Sequence, residues 1–165
     1  MLNLHIIAIG RLKSGPAFDL FADYQKRLGQ IGRNAHIAGL VLQELEAPKS
    51  LDGKARQTRE AELLVTAIPQ GAHIFVLDEH GKAMKSRALA QKIADRRDQG
   101  AQDIAFIIGG ADGHGPAIRA LMDTGKASAL SFGPNTWPHM LVRVMLAEQL
   151  YRALSILTGH PYHRE

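Results

Sequence analysis

The sequence predicts an α/β fold, a parallel sheet flanked by helices on both faces, and three observations carry that expectation. The runs Leu2–Ile9, His73–Leu77, Asp103–Ile108 and Ala127–Phe132 are nearly continuously apolar rather than alternating, as strands buried on both faces must be. Segments with apolar residues at helical spacing separate them, so each return to the sheet runs through a helix and neighbouring strands lie parallel. The last helix, which stops at Gly159, carries Met140, Val144, Leu150, Ile156 and others nearly all the way round its wheel. It must therefore be covered on more than one side.

Taken in order, Leu2–Ile9 is a strand ended by Gly10. Ser14 is placed to cap the next helix and Pro16 suits its first turn, after which Phe18, Phe21, Tyr24 and Leu28 recur at helical spacing to about Leu28. Ala35–Leu45 holds the second apolar run, with His36 as a partly exposed strand residue. From Glu46 to Thr58 the chain turns polar and basic around Pro48 and Gly53, and reads as a mobile loop. A helix through Ala61, Leu64, Ala67 and Ile68 is closed by Pro69. After the strand His73–Leu77, Ser86 caps a helix through Leu89, Ile93 and Ala94 whose end is marked by Gly100. The strand Asp103–Ile108 leaves through Gly109, Gly110 and Gly113, and a short helix with Ile118, Leu121 and Met122 leads to the fifth strand. A loop stiffened by Pro134 and Pro138 then enters the final helix.

A chain of 165 residues with no linker or internal repeat reads as a single domain, residues 1–165, large enough to bury roughly 70% of its unfolded surface. It has no cysteine, which excludes disulfides and thiolate metal sites and fits a reducing compartment. No leader-like segment opens it and no stretch approaches a membrane span, so a soluble cytoplasmic protein without a membrane partner is expected. The net charge of +4 permits a polyanionic partner. Arg11, Lys13, Lys26, Arg27 and Arg33 are either a solvated face or an RNA-facing patch, and the basic loop either folds over a phosphate backbone or is a plain linker.

In such sheets ligands bind beyond the carboxyl ends of the strands, which here means the loops after Leu77, after Ile108 and after Phe132. Gly109, Gly110 and Gly113 let backbone approach a ligand closely. A dinucleotide site fails on order, because the required G-x-G-x-x-G belongs after the first strand, where only Gly10 stands, and no phosphate-cradling P-loop motif exists. In the last helix His139 and Arg143 stand at i,i+4, while Glu148, Arg152 and Ser155 share one sector. Glu148 with Arg152 is either an internal ion pair or part of a working site. The sheet covers one side of this helix, and a second copy of the chain is the natural candidate for the other. His160-x-x-His163 lacks a third ligand, so no metal is expected. The tail is either a disordered terminus or an ordered segment fixed by Gly-His-Pro.

The runs Pro138-His139-Met140-Leu141-Val142-Arg143-Val144, Glu148-Gln149-Leu150-Tyr151-Arg152-Ala153 and Gly159-His160-Pro161-Tyr162-His163 are similar to the C-terminal signature of the large-subunit ribosomal RNA pseudouridine methyltransferase H family, of the SPOUT superfamily. The resemblance extends to Ile107-Ile108-Gly109-Gly110 with Gly113, to Leu77-Asp78 with Gly81-Lys82, and to Tyr24-Gln25-Lys26-Arg27-Leu28. It implies a SPOUT-type α/β fold with a C-terminal trefoil knot, a homodimer, and S-adenosylmethionine as cofactor. Leu77, Gly109, Gly110, Gly133, Pro134, Asn135, Thr136, Trp137 and Pro138 would cradle it, largely through backbone groups. The last loop departs from the family pattern: Gly133-Pro134-Asn135 replaces a Ser-x-Met or Ser-x-Leu type of sequence and Trp137 replaces Phe or Leu, while Thr136 and Pro138 match.

The implied reaction is methylation of N3 of a pseudouridine in 23S rRNA, with the assembled ribosome as substrate. It requires alignment of nitrogen, methyl and sulfur, exclusion of water and loss of the ring proton. Among the candidates His139, Glu148, Arg152, Tyr162 and His163, Arg152 suits negative charge on the imide or a phosphate, Tyr162 can stack on or hydrogen-bond to a base, and His163 could take the proton. A SPOUT enzyme acting on a ribose hydroxyl or a guanine nitrogen, and a non-catalytic RNA-binding module of ribosome assembly, are the two alternatives.

Overall fold

Apolar runs that repel water on both faces settle into the middle of a sheet. In the computed structural model, which describes residues 1–164, the strands are β1 (Leu2–Ile9), β2 (Ile37–Leu45), β3 (His73–Ala83), β4 (Asp103–Ile108) and β5 (Ala127–Ser131). They pair in parallel in the order β2-β1-β4-β3-β5. The helices are α1 (Pro16–Gly32), α2 (Gly53–Ala67), α3 (Ser86–Asp98), α4 (Pro116–Asp123) and α5 (His139–Thr158), with a 3-10 turn over Arg33–Ala35. Successive strand residues face opposite ways. Ile6, Phe75 and Phe106 accordingly enter the core under α1, α3 and α5, while Ile7, Val76 and Ile107 enter the core under α2 and α4. Helices on both faces are what the sequence led one to expect.

Several local expectations are corrected by tertiary contacts. The residue at the N-cap of α1 is Gly15, with no side-chain cap, so Ser14 does not cap it, and the helix runs past Leu28 to Gly32. Phe18 is exposed. His36 is not a strand residue but stands before β2 in a left-handed conformation, φ 56°. The polar stretch expected to be a mobile loop through Thr58 is a loop only as far as Asp52; Gly53 opens α2, because Lys54, Ala55, Arg56 and Gln57 are helix formers leading into Ala61 and Leu64. Ser86 is the first residue of α3 rather than its cap, and its Oγ donates to Gln149 Oε1 at 2.7 Å. β3 continues past Leu77 through a register shift to pair Lys82 with Leu130, and β5 ends at Ser131 rather than Phe132.

The helix α5 lies on the sheet between α1 and α3. Its apolar circumference is thus largely covered within one chain, and the wheel alone does not require a second copy. Gly159, at φ 69°, stops it as expected. Arg143 does not belong with His139. It is fully buried, its Nη1 donating to Glu44 Oε2 at 2.6 Å and Gly10 O at 3.0 Å and its Nη2 to Ile9 O at 3.1 Å. Glu44 also accepts the Leu12 N–H. Burial lowers the pKa of the Arg143 guanidinium, and Glu44 offsets only part of that.

Removing one member of a buried pair leaves the other without its charge partner. Arg143→Ala is therefore expected to lower the unfolding free energy by about 3 kcal/mol, read from urea midpoints. Arg143→Lys should recover only part of that, because an ammonium cannot span three oxygens with a rigid fork.

Candidate functional site

The strands β4, β3 and β5 are neighbours, so the loops leaving their carboxyl ends meet. They enclose a cleft of about 760 Å³ lined by Leu77, Gly109, Gly110, Gly133, Asn135, Thr136, Trp137 and Pro138, with His139 at the start of α5. Of the residues expected to hold a cofactor, Pro134 alone is missing from this lining. The last loop is tied to the loop of β3. Ser131 Oγ donates to Glu79 O at 3.2 Å and accepts from Gly133 N–H at 3.0 Å, and Thr136 Oγ1 donates to Glu79 Oε2 at 3.3 Å. Trp137 Nε1 donates to Phe132 O at 3.4 Å. Gly81 is required at the register shift between β3 and β5, since a Cβ there would come within 2.7 Å of the Ala129 carbonyl carbon.

The glycines of the loop after β4 also have a reason on the protein side. A Cβ on Gly110 would lie 2.7 Å from Glu60 Oε2, and one on Gly109 would lie 3.0 Å from His114 Nδ1. One on Gly115 would strike the Gln57 carbonyl oxygen of α2. These glycines let the loop press onto protein, chiefly α2; Gly113 is needed for its φ of 81°. The same seam is pinned by Arg56 Nε donating to Asp112 Oδ2 at 2.8 Å and Gln57 Nε2 donating to Asp112 O at 2.7 Å. His114 Nε2 lies 2.8 Å from Leu77 O. A carbonyl oxygen only accepts, so Nε2 carries the proton and the ring bolts two walls of the cleft together. Glu60, Arg56, Asp112 and His114 were not candidates from sequence. Glu60 carried a signal, a charge one residue before the apolar stripe of α2, but it reads as solvated as long as α2 is thought to begin later.

A second constellation lies farther along α5. Glu148 Oε1 accepts from Arg152 Nε at 2.9 Å and Nη2 at 2.5 Å and from the Tyr162 hydroxyl at 3.0 Å, and its Oε2 accepts from Gln149 at 2.7 Å. Tyr24, on α1, joins through its hydroxyl, 3.2 Å from that of Tyr162. The Arg152 guanidinium lies 4.8 Å from the Tyr162 ring centre, and its Nη1 is 3.4 Å from His163 Nδ1. The tail is thus an ordered segment folded back on α5. Hydrogen bonding to Glu148 raises the Arg152 pKa further. Burial first, then the bonds to Tyr24 and Glu148, push the Tyr162 phenol well above its usual range, so it stays a donor. His160 and His163 have separate partners, and among the described residues no group of three or more His, Asp or Glu could hold a metal.

The five catalytic candidates therefore fall in two places. His139 sits in the cleft, whereas Glu148, nine residues on, is about 14 Å further along the helix axis, with Arg152, Tyr162 and His163 around it. An apolar groove of about 640 Å³ between α1, α3 and α5 runs past Tyr24, Leu141 and Glu148 to Phe132 and Gly133, which also line the cleft.

A family model described as a predicted SPOUT methyltransferase matches residues 2–163. Three similar curated proteins each bear the name Ribosomal RNA large subunit methyltransferase H. They come from Paramagnetospirillum magneticum at 50% identity, Rhodospirillum centenum at 48% and Roseobacter denitrificans at 52%, each match covering 99% of both chains. A solved methyltransferase from Legionella pneumophila with bound SAM overlaps at TM-score 0.45 and 12% identity, over 96% of this chain and 66% of that one, a distant likeness only.

Glu148 is the acceptor that gathers the tail. Glu148→Ala is expected to speed amide hydrogen exchange at residues 160–163 while the middle of α5 stays protected. Unchanged exchange in the tail would mean that packing of Tyr162 on Tyr151, 4.7 Å between ring centres, holds it without the carboxylate.

Proposed function

The chain belongs to the SPOUT methyltransferase family, and from that premise we propose that it methylates N3 of a pseudouridine in 23S rRNA, using S-adenosylmethionine, as a cytoplasmic homodimer acting on the assembled ribosome. The relatives named above, at about half identity over their whole length, support a large-subunit rRNA target. The observation that carries the reading is the cleft, where three neighbouring loops gather eight of the expected cofactor residues. Its walls fit the proposed cofactor: the apolar side chains of Leu77, Phe132 and Trp137 suit an adenosine, and backbone groups of the glycine-rich and last loops are at hand for its polar atoms. A knotted wrapping of these loops is part of the same reading.

When bound, S-adenosylmethionine supplies an electrophilic methyl group on a sulfonium. The chain's own residues must align the ring nitrogen, keep water out and handle one proton and one negative charge. Arg152, held protonated by Glu148, steadies the negative charge of the imide or a phosphate. Tyr162, kept protonated, donates a hydrogen bond to the base or stacks on it and is not the base catalyst. His163 takes the proton; its Nδ1 lies 3.4 Å from Arg152 Nη1, which can only donate, so that lone pair is free for the proton once Arg152 turns to the RNA. Since these groups stand well along α5 from the cleft of their own chain, a second copy seated on the exposed Leu20 and Leu141 would bring its tail to this cleft. The site would then be shared between two chains.

Calorimetric titration with S-adenosylmethionine, followed by methyl transfer to intact ribosomes and mass analysis of the RNA, tests the activity. Binding with one methyl on a pseudouridine is expected. Transfer to a ribose or a guanine would keep the family and change the target, and absence of binding would leave a non-catalytic RNA-binding module as the better account. The shared site has its own test. Thr136→Lys, which blocks the cleft, and Arg152→Ala should each be inactive alone, and mixing them should restore roughly a quarter of the wild-type rate, the random-pairing value for a two-fold dimer. No recovery from two folded, dimeric variants would sink the two-chain site.

A further inference from the structure

Glu60 sits in the middle of α2 facing the sheet. It is 6% exposed, and its Oε2 has no hydrogen-bond partner. That oxygen is pressed against Gly110 of the glycine-rich loop, where a Cβ would come within 2.7 Å of it. An ionised carboxylate in such a place is strongly disfavoured unless a cation meets it. Arg56, the basic residue one turn earlier on α2, has its Nε on Asp112 at 2.8 Å. Asp112 turns a second negative charge toward Glu60 from the loop. From β1 the neighbour of the same glycine is the apolar Ile9, and His114, the loop's other titratable group, stands against Gly109 instead.

We propose that Glu60 is a positioning residue for the cofactor-receiving loop: as an uncharged acid wedged behind Gly110 it holds residues 109–113 in place, and its ionisation lifts them off α2. This rests on the reading of the cleft as the S-adenosylmethionine site. Burial, and after it the charge of Asp112, push the Glu60 carboxyl above the usual range against a smaller pull from Arg56, which accords with the geometry. The sign follows. The seated loop favours protonated Glu60, so the hold is complete below the ordinary glutamate pKa of about 4.3. It weakens as pH rises through the raised value. Cofactor affinity falls in the same direction, by at most about tenfold per pH unit, the limit for one proton.

Two measurements on the full chain test this. Amide hydrogen exchange of residues 109–113 without cofactor is compared for wild type, Glu60→Gln and Glu60→Ala across a pH series. Gln keeps the shape and cannot titrate. The wild-type rate divided by the Gln rate should climb with pH, by no more than about tenfold per unit, while Ala exchanges fast throughout. A flat ratio overturns the proposal, and this comparison needs only wild type and Gln should the Ala variant fail to fold. Calorimetric titration with S-adenosylmethionine then ties the loop to binding: affinity should fall with pH in wild type and stay level in Gln. Wild type that binds nothing at any pH refutes the cofactor reading of the cleft, while the exchange ratio still decides whether Glu60 holds the loop. Equal pH dependence in wild type and Gln refutes the role of Glu60 in binding.

Discussion

The buried guanidinium of Arg143 is the interaction on which the placement of the other parts depends. β1 hands its chain to α1 through Gly10, and the carbonyls of Ile9 and Gly10 stand at the end of the β1–β2 ladder. Arg143 takes both, together with the Glu44 carboxylate at the end of β2. One planar fork thereby fixes α5, which enters from β5 at one edge of the sheet, over β1 and β2 at the other. Pro138, His139 and Val142, in the turn that leads into Arg143, are part of the wall of the cleft.

The opposite face supports the cleft by other means. There the glycine-rich loop is laid against α2 so closely that Gly110 and Gly115 leave no room for a Cβ, and Arg56 and Gln57 grip Asp112 from the helix. Glycine in a ligand-binding loop is usually explained by approach to the ligand. Here the crowded side of the loop is the protein side, and its backbone lines the cleft on the other. A cleft with one wall tied through the buried Arg143 of α5 and a glycine-rich loop resting on α2 has support from both faces of the sheet.

The tail constellation lies outside the cleft. Glu148 gathers donors around a single carboxylate, so Arg152 and Tyr162 are both held in their protonated forms. Such a cluster can offer positive charge and hydrogen-bond donors to RNA but has little capacity to accept protons outside His163. Its separation from the cleft along α5 is set by helical rise and is not closed by side-chain rotation.

The apolar runs, their alternation with helical spacing, the glycine that stops α5 and the three loops that form the cleft were all readable from the chain, because each depends on residues within one or two turns of one another. Eight of the nine expected cofactor residues line the cleft for that reason: they lie on loops whose strands were recognisable. The partners of the polar side chains were not readable. Arg143 finds Glu44 across 99 positions and Gly10 across 133, where helical spacing pointed to His139 four residues away. Ser86 finds Gln149 across 63 positions instead of capping its own helix. Glu60 is buried under Gly110 only because α2 begins at Gly53 and lies across the sheet beneath that loop. Local periodicity therefore determined which segments are strands and helices and which loops can meet a ligand. Which charges are buried and what they hold was decided by the strand order β2-β1-β4-β3-β5, since only that order brings distant segments within hydrogen-bonding distance.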